Sequence, residues 1–172
     1  KVGHIQSSRR NCRTSSGSIT RFQDLTDLRE ELYRSGYASR MKNYTPQRQA
    51  KPSKPTEAVT PAGYRLLIGR NNLQNEHLTF KVAKKDDLWF HAKGVPGSHV
   101  ILLCDGEEPP AEDYTFAAEL AAGASQAAKG ESVPVDYTRV RNIRKPPAAR
   151  PGYVTYKTNY TAYVTPKKLR DL

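Results

Sequence analysis

Asp87-Leu-Trp-Phe-His-Ala-Lys-Gly-Val-Pro-Gly-Ser-His-Val-Ile-Leu-Leu103 is the stretch on which the fold turns. Two runs of apolar and aromatic residues flank Pro96-Gly97, a dipeptide suited to reversing the chain. The stretch predicts two antiparallel strands, Asp87–Ala92 and Ser98–Leu103, joined by a short turn. The second run is almost wholly apolar, which predicts deep burial. Trp89, His91 and Lys93 alternate along the first run, so they share one strand face. A row of aromatic, imidazole and ammonium groups suits stacking on bases and gripping phosphates.

Strand-like patterns continue on both sides. Tyr64–Ile68 reads as a strand ending at Gly69. His77–Ala83 alternates with period two, Leu78, Phe80 and Val82 against Thr79 and Lys81, and predicts another strand. Val133–Val140, Tyr153–Tyr156 and Asn159–Val164 follow, with Thr158-Asn159 as a tight hairpin turn. Between them, Ala111–Lys129 is rich in Ala, free of Pro and bounded by Gly130, which predicts one long helix. The acidic Asp105–Asp113 loop leads into it, where negative charge meets the helix dipole. Strands, one helix, then strands imply an α+β class: a mainly antiparallel sheet with a long Ala-rich helix packed on one face.

The chain ahead of this domain divides by composition. Residues 1–20 are polar and rich in Ser and Arg, and are expected to be disordered. Residues 21–37 form an amphipathic helix with Leu25, Leu28 and Leu32 in one stripe, Asp24 as N-cap and Gly36 as the stop. A lone helix of this length does not hold in water, so it needs a surface to pack on. Residues 38–62 read as a Pro- and Lys-rich basic linker, 63–166 as the folded domain and 167–172 as a basic tail.

The 172 residues carry a formal net charge of +11, and the pI is about 9.7. This favours polyanionic partners. Asp105 to Glu119 holds six acids and no base, whereas Arg139 to Arg150 holds five bases and no acid. Cys12 and Cys104 are far apart, with neither a disulfide framework nor zinc spacing, which suits a reducing compartment. No run is long and apolar enough to span a bilayer and no signal peptide is visible, so no membrane partner is expected. The chain opens on Lys1 and reads as a fragment. Sequons at Asn43 and Asn159 are chance matches.

Three constellations carry the chemistry. In Gly69-Arg-Asn-Asn72, Arg70 can hold a phosphate while Asn71 and Asn72 read base edges or shape a turn. His91 and His99 flank the Pro-Gly turn in register; a third metal ligand is not evident, since Cys104 has the opposite parity to His99. In Tyr137–Pro147, Arg139 and Arg141 alternate with Val140, which points both guanidinium groups outward, followed by Lys145 and a stiff Pro146-Pro147 corner. No nucleophile elbow, phosphate-binding loop or dinucleotide fingerprint occurs, so neither catalysis nor a cofactor is expected.

Five segments together resemble the NFACT-R domain of the NFACT family: Gly69–Asn75, Asp87–Lys93, Pro96–Val100, Val133–Thr138 and Lys145–Val154. The resemblance runs from about Gly63 to Thr165, and Phe22–Tyr37 resembles the end of the family's coiled-coil arm. It implies a cytoplasmic ribosome-quality-control factor, in bacteria also labelled fibronectin-binding protein A. Such a factor binds the large ribosomal subunit with peptidyl-tRNA and supports C-terminal alanine tailing of stalled nascent chains. The partners implied are rRNA, tRNA and ribosomal proteins. The expected RNA contacts are Arg70, Asn71, Asn72, Lys84, Lys85, Trp89, His91, Lys93, His99, Arg139, Arg141 and Lys145. Two alternatives stand beside this reading: a surface adhesin fragment that binds fibronectin, and a small metalloenzyme built on His91 and His99.

Overall fold

The computed structural model describes residues 18–36 and 53–171. The expectations for residues 1–17 and for most of the linker lie outside the described residues. Helix α1 (Ser18–Arg34) is followed by β1 (Thr56–Val59), β2 (Arg65–Ile68), α2 (Asn72–His77) and a π-helical turn (Leu78–Val82). Then come β3 (Leu88–Ala92), β4 (Val100–Leu102), α3 (Ala111–Gly123) and β5 (Val133–Arg139). A 3₁₀ turn (Val140–Asn142) leads to β6 (Ile143–Arg144), β7 (Thr155–Tyr156) and β8 (Tyr160–Val164).

Six strands form one sheet in the order β1-β2-β4-β3-β5-β8, every neighbouring pair antiparallel. The α+β class with a mainly antiparallel sheet is therefore the observed one. The two central strands have almost no polar positions, and both of their faces are covered. Leu66, Leu88, Phe90, Val100 and Leu102 point to the α3 layer. Leu67, Trp89 and Ile101 point the other way, into a second core with Leu78 and Ile143. That second layer is built by α2, its π-helical turn and the small β6–β7 pair.

Helix α3 lies close to the sheet because Ala117, Ala118, Ala121 and Ala122 present only methyl groups there. It stops at Gly123 and does not run on to Lys129. Beyond Gly123 the backbone turns to bond the β3–β4 corner, Ser98 N–H to Ala124 O at 3.2 Å and Gln126 N–H to Pro96 O at 3.0 Å. Buried carboxylates tie loops to this frame. Asp113 accepts from Thr60 Oγ1 at 2.6 Å and Ala62 N–H at 3.2 Å. Asp87 accepts from Lys84 N–H at 2.7 Å and Cys104 N–H at 2.9 Å.

Three local expectations are corrected. His77–Ala83 is helical, not a strand. Asn71 caps α2 by accepting from Gln74 N–H at 2.9 Å, and the helix continues through His77 into the π-helical turn. Thr158-Asn159 is not a hairpin turn, because β7 pairs with β6 while β8 pairs with β5. Asp24 is not the N-cap of α1, which begins at Ser18; its far end does stop at Gly36, in a left-handed conformation. In addition, β1 falls within the stretch read as linker. Helix α1 docks through its polar side: Asp27 accepts from Ser53 Oγ at 2.7 Å and Asn71 Nδ2 at 3.3 Å, while Leu25, Leu28 and Leu32 stay exposed.

Candidate nucleic-acid interface

The site is built on the face of the sheet opposite α3. Its base is an aromatic cluster. Trp89 stacks on His91 (centroids 5.6 Å apart, 11° between planes), meets His99 edge-on at 5.2 Å and packs under Tyr156 at 5.1 Å. The two imidazoles come within 5.5 Å of each other, as their strand positions predict.

This cluster is interior. Trp89 is 1% exposed and His99 2%, so both leave the expected contact set. The physical reason is that α2, the π-helical turn and β6–β7 cover the strand face that the alternation left open. The β6–β7 part of that cover lies far from Trp89 along the chain, and the nearer part, Leu78–Val82, reads as a strand from its alternation. His99 holds its place through bonds: Nδ1 to Thr79 Oγ1 at 2.8 Å, and its backbone N–H to Asn75 Oδ1 at 3.0 Å. Burial, with His91 adding to it, pushes its pKa down to about 3. His91 is half-buried, and burial lowers its pKa too. Among the described residues, no group of three or more His, Cys, Asp and Glu could hold a metal ion.

The expected cations divide into tied and exchangeable ones. Arg139 does not project outward: its guanidinium bonds Asp86 O at 2.5 Å and the Glu108 carboxylate, and its side chain is only 23% exposed. Lys93 sits 3.5 Å from Asp136, a buried carboxylate that also accepts from Tyr156 Oη at 2.8 Å and Thr161 Oγ1 at 2.5 Å. That ammonium offsets a buried charge. Asn71 is spent on the α2 cap and on Asp27. Lys84 and Arg141 pair directly with Asp105 and Asp86 at 3.3 and 3.2 Å, in exposed positions. Such exposed pairs are worth about 0–1 kcal/mol, so a phosphate can take the cation over. Lys145 pairs with Glu76 at 2.8 Å, Asn72 bonds Glu31 on α1, and Lys85 and Arg70 are exposed.

The fold joins several of these at the β6–β7 side. Arg141 N–H bonds Lys85 O at 3.0 Å. The loop after Lys145 returns to α2, where Gly152 N–H bonds Glu76 Oε2 at 3.2 Å. A side chain at Gly152 would sit 3.0 Å from Asn72 Cβ. Arg144 to Lys157 carries four bases and no acid. Arg144 and Arg150 are not among the expected contacts, although both lie in the basic block that the sequence displays. Arg144 is exposed, with its guanidinium laid on Arg141 O at 2.6 Å.

No helix is long and apolar enough to cross a membrane among the described residues. Residues 54–158 match the family described as NFACT protein RNA binding domain. The chain is 42% identical over 146 residues to the Rqc2 homolog RqcH of Bacillus subtilis (strain 168), covering 84% of the chain and 25% of that protein. It is 43% identical over 143 residues to the Rqc2 homolog RqcH of Streptococcus suis (strain 05ZYH33), covering 83% and 25%. The chain thus spans about a quarter of the length of these curated relatives. A solved structure of the C-terminal part of the fibronectin/fibrinogen-binding protein from Streptococcus suis superposes with a TM-score of 0.72 at 43% identity, over 84% of this chain and 57% of that one. The match over residues 54–158 and the 42–43% identity to these relatives show that the chain belongs to the NFACT RNA-binding-domain family.

Proposed function

We propose that this chain is the RNA-binding module of a cytoplasmic ribosome-quality-control factor and docks on the large ribosomal subunit near peptidyl-tRNA. In the whole protein it supports alanine tailing of stalled chains by holding the factor in place; the module itself binds and does not catalyse. One observation carries this reading: an acid-free basic segment, Arg144 to Lys157, seated on a rigid sheet within a domain of an RNA-binding family. Exposed Arg and Lys supply affinity by displacing counterions from phosphates, while the Pro146-Pro147 and Pro151-Gly152 corners limit the loop's freedom. Arg70, Asn72, Lys84, Lys85, Arg141, Arg144, Lys145 and Arg150 are the proposed contacts, with His91 at the margin.

A second reading has one specific support, the fibronectin/fibrinogen-binding name of the solved relative. Co-sedimentation of the chain with purified large subunits separates the two. Retention that disappears after nuclease treatment is the expected result. Failure to pellet with subunits, together with nuclease-resistant capture on immobilised fibronectin, overturns the RNA reading.

A further inference from the structure

We infer that the tyrosine-lined groove between α3 and the β5–β8 edge is a docking site for an extended, proline-containing, cationic peptide of a partner protein. The groove has a volume of about 540 Å³, and its lining includes Glu108, Pro109, Tyr114, Tyr137, Tyr160 and Ala162. Tyr137 and Tyr160 are register partners on β5 and β8, so both rings leave the α3 face of the sheet. They stack at 5.6 Å with 28° between planes. Tyr114, from α3, meets Tyr137 edge-on at 5.6 Å and 69°. Phe90 supports Tyr137 from within the core, stacked at 5.5 Å. The walls are therefore held in fixed orientations, yet Tyr160 remains 67% exposed. RNA docking on the far side of the sheet leaves these rings unused.

Shape and charge together select the ligand. Aromatic walls with Pro109, Ala111 and Ala162 also in the lining fit a polyproline II chain, whose rings wedge between aromatics and whose extended form costs little ordering entropy. The same walls could stack a nucleobase, but the surroundings are acidic. Of the six acids from Asp105 to Glu119, Asp105, Glu108 and Glu119 face Lys84, Arg139 and Lys167 and Asp113 is buried, so the negative field comes from Glu107 and Glu112. The Glu108 carboxylate at the rim accepts from Tyr114 Oη and Arg139, and Glu107 and Glu112 are exposed beside it. This field repels a phosphate backbone and attracts Lys and Arg. The groove also faces away from the basic β6–β7 side, so one domain can hold RNA and peptide at once.

The test is an amide-resolved NMR titration of the 172-residue chain with the synthetic peptide acetyl-Lys-Pro-Pro-Arg-Pro-Pro-Lys-amide. Its Pro→Ala counterpart and hexauridylate serve as the other probes. Saturable shifts are expected around Tyr114, Tyr137 and Tyr160. The Pro→Ala peptide and the Tyr160→Ala variant should each bind about tenfold more weakly. Tyr163→Ala, on the opposite face of β8, should bind as the unaltered chain does. Glu108→Gln, at the exposed rim, gives a second loss should Tyr160→Ala disturb the fold. The proposal is overturned by absence of shifts, by peptide binding indifferent to both groove variants, or by hexauridylate rather than the peptide shifting these tyrosines.

Discussion

Trp89 and His99 show how one side chain's role depends on what lies above it. Both come from the sequence as surface groups, and both end in the core because Leu78, Thr79 and Tyr156 close over them. Their value is to stability. His99 is neutral in the fold, with a pKa lowered from 6.5 to about 3. In the unfolded chain it takes up a proton near pH 6.5. Between those two values the unfolded state therefore binds more protons, and stability declines as the pH falls from 6.5 toward 3. His91 is lowered in the same direction and adds to the decline. Chemical denaturation at pH 7 and pH 5 should show a loss on the order of 2 kcal/mol attributable to His99. His99→Gln, less stable at pH 7, should show a visibly smaller change between the two pH values. An identical pH dependence in both proteins would contradict this account. Arg139 carries the same lesson: alternation with Val140 suggests an outward guanidinium, but the Glu108 carboxylate and Asp86 carbonyl bring it back.

At the scale of elements, packing decides where local pattern is ambiguous. The strands over Asp87–Leu103 were legible because a continuous apolar run broken by Pro-Gly fits only a buried hairpin-like pair. His77–Ala83 was not legible, because five alternating residues are compatible with a helical turn when a cap lies upstream. Leu78 and Thr79 are buried, while Val82, expected on the apolar face, is 41% exposed. The pairing of β7 with β6 was hidden for a related reason: Tyr156 packs on Trp89, while Tyr160, four residues on, pairs with Tyr137. Asn75 is the pin that joins α2 to the β3–β4 corner, accepting from His99 N–H at 3.0 Å and lying against Gly69. A Cβ at Gly69 would stand 2.0 Å from Asn75 Oδ1. Gly69→Ala should therefore cost on the order of 3 kcal/mol, from overpacking and from a loosened bond to a buried N–H. A urea midpoint that does not move would show that α2 is not pinned in this way.

For the whole molecule, the sheet separates two surfaces of unlike chemistry. The α3 side carries the exposed Glu107 and Glu112 and the tyrosine groove; the opposite side carries Arg144 to Lys157. Composition made the net charge of +11 legible, and five ordered motifs made the family legible. The side of the sheet on which the cations gather was not legible, since it depends on the return of the loop after Lys145 to α2. The central claim is that this basic side docks on RNA. The salt dependence of binding to purified large ribosomal subunits tests it most directly, comparing the chain with an Arg144→Glu, Lys145→Glu, Arg150→Glu variant whose circular dichroism is unchanged. The account predicts that log K falls linearly with log salt. It also predicts weaker binding by the variant, with a slope smaller by about one for each phosphate that is no longer neutralised. Equal affinity and equal slope in the two proteins would contradict it.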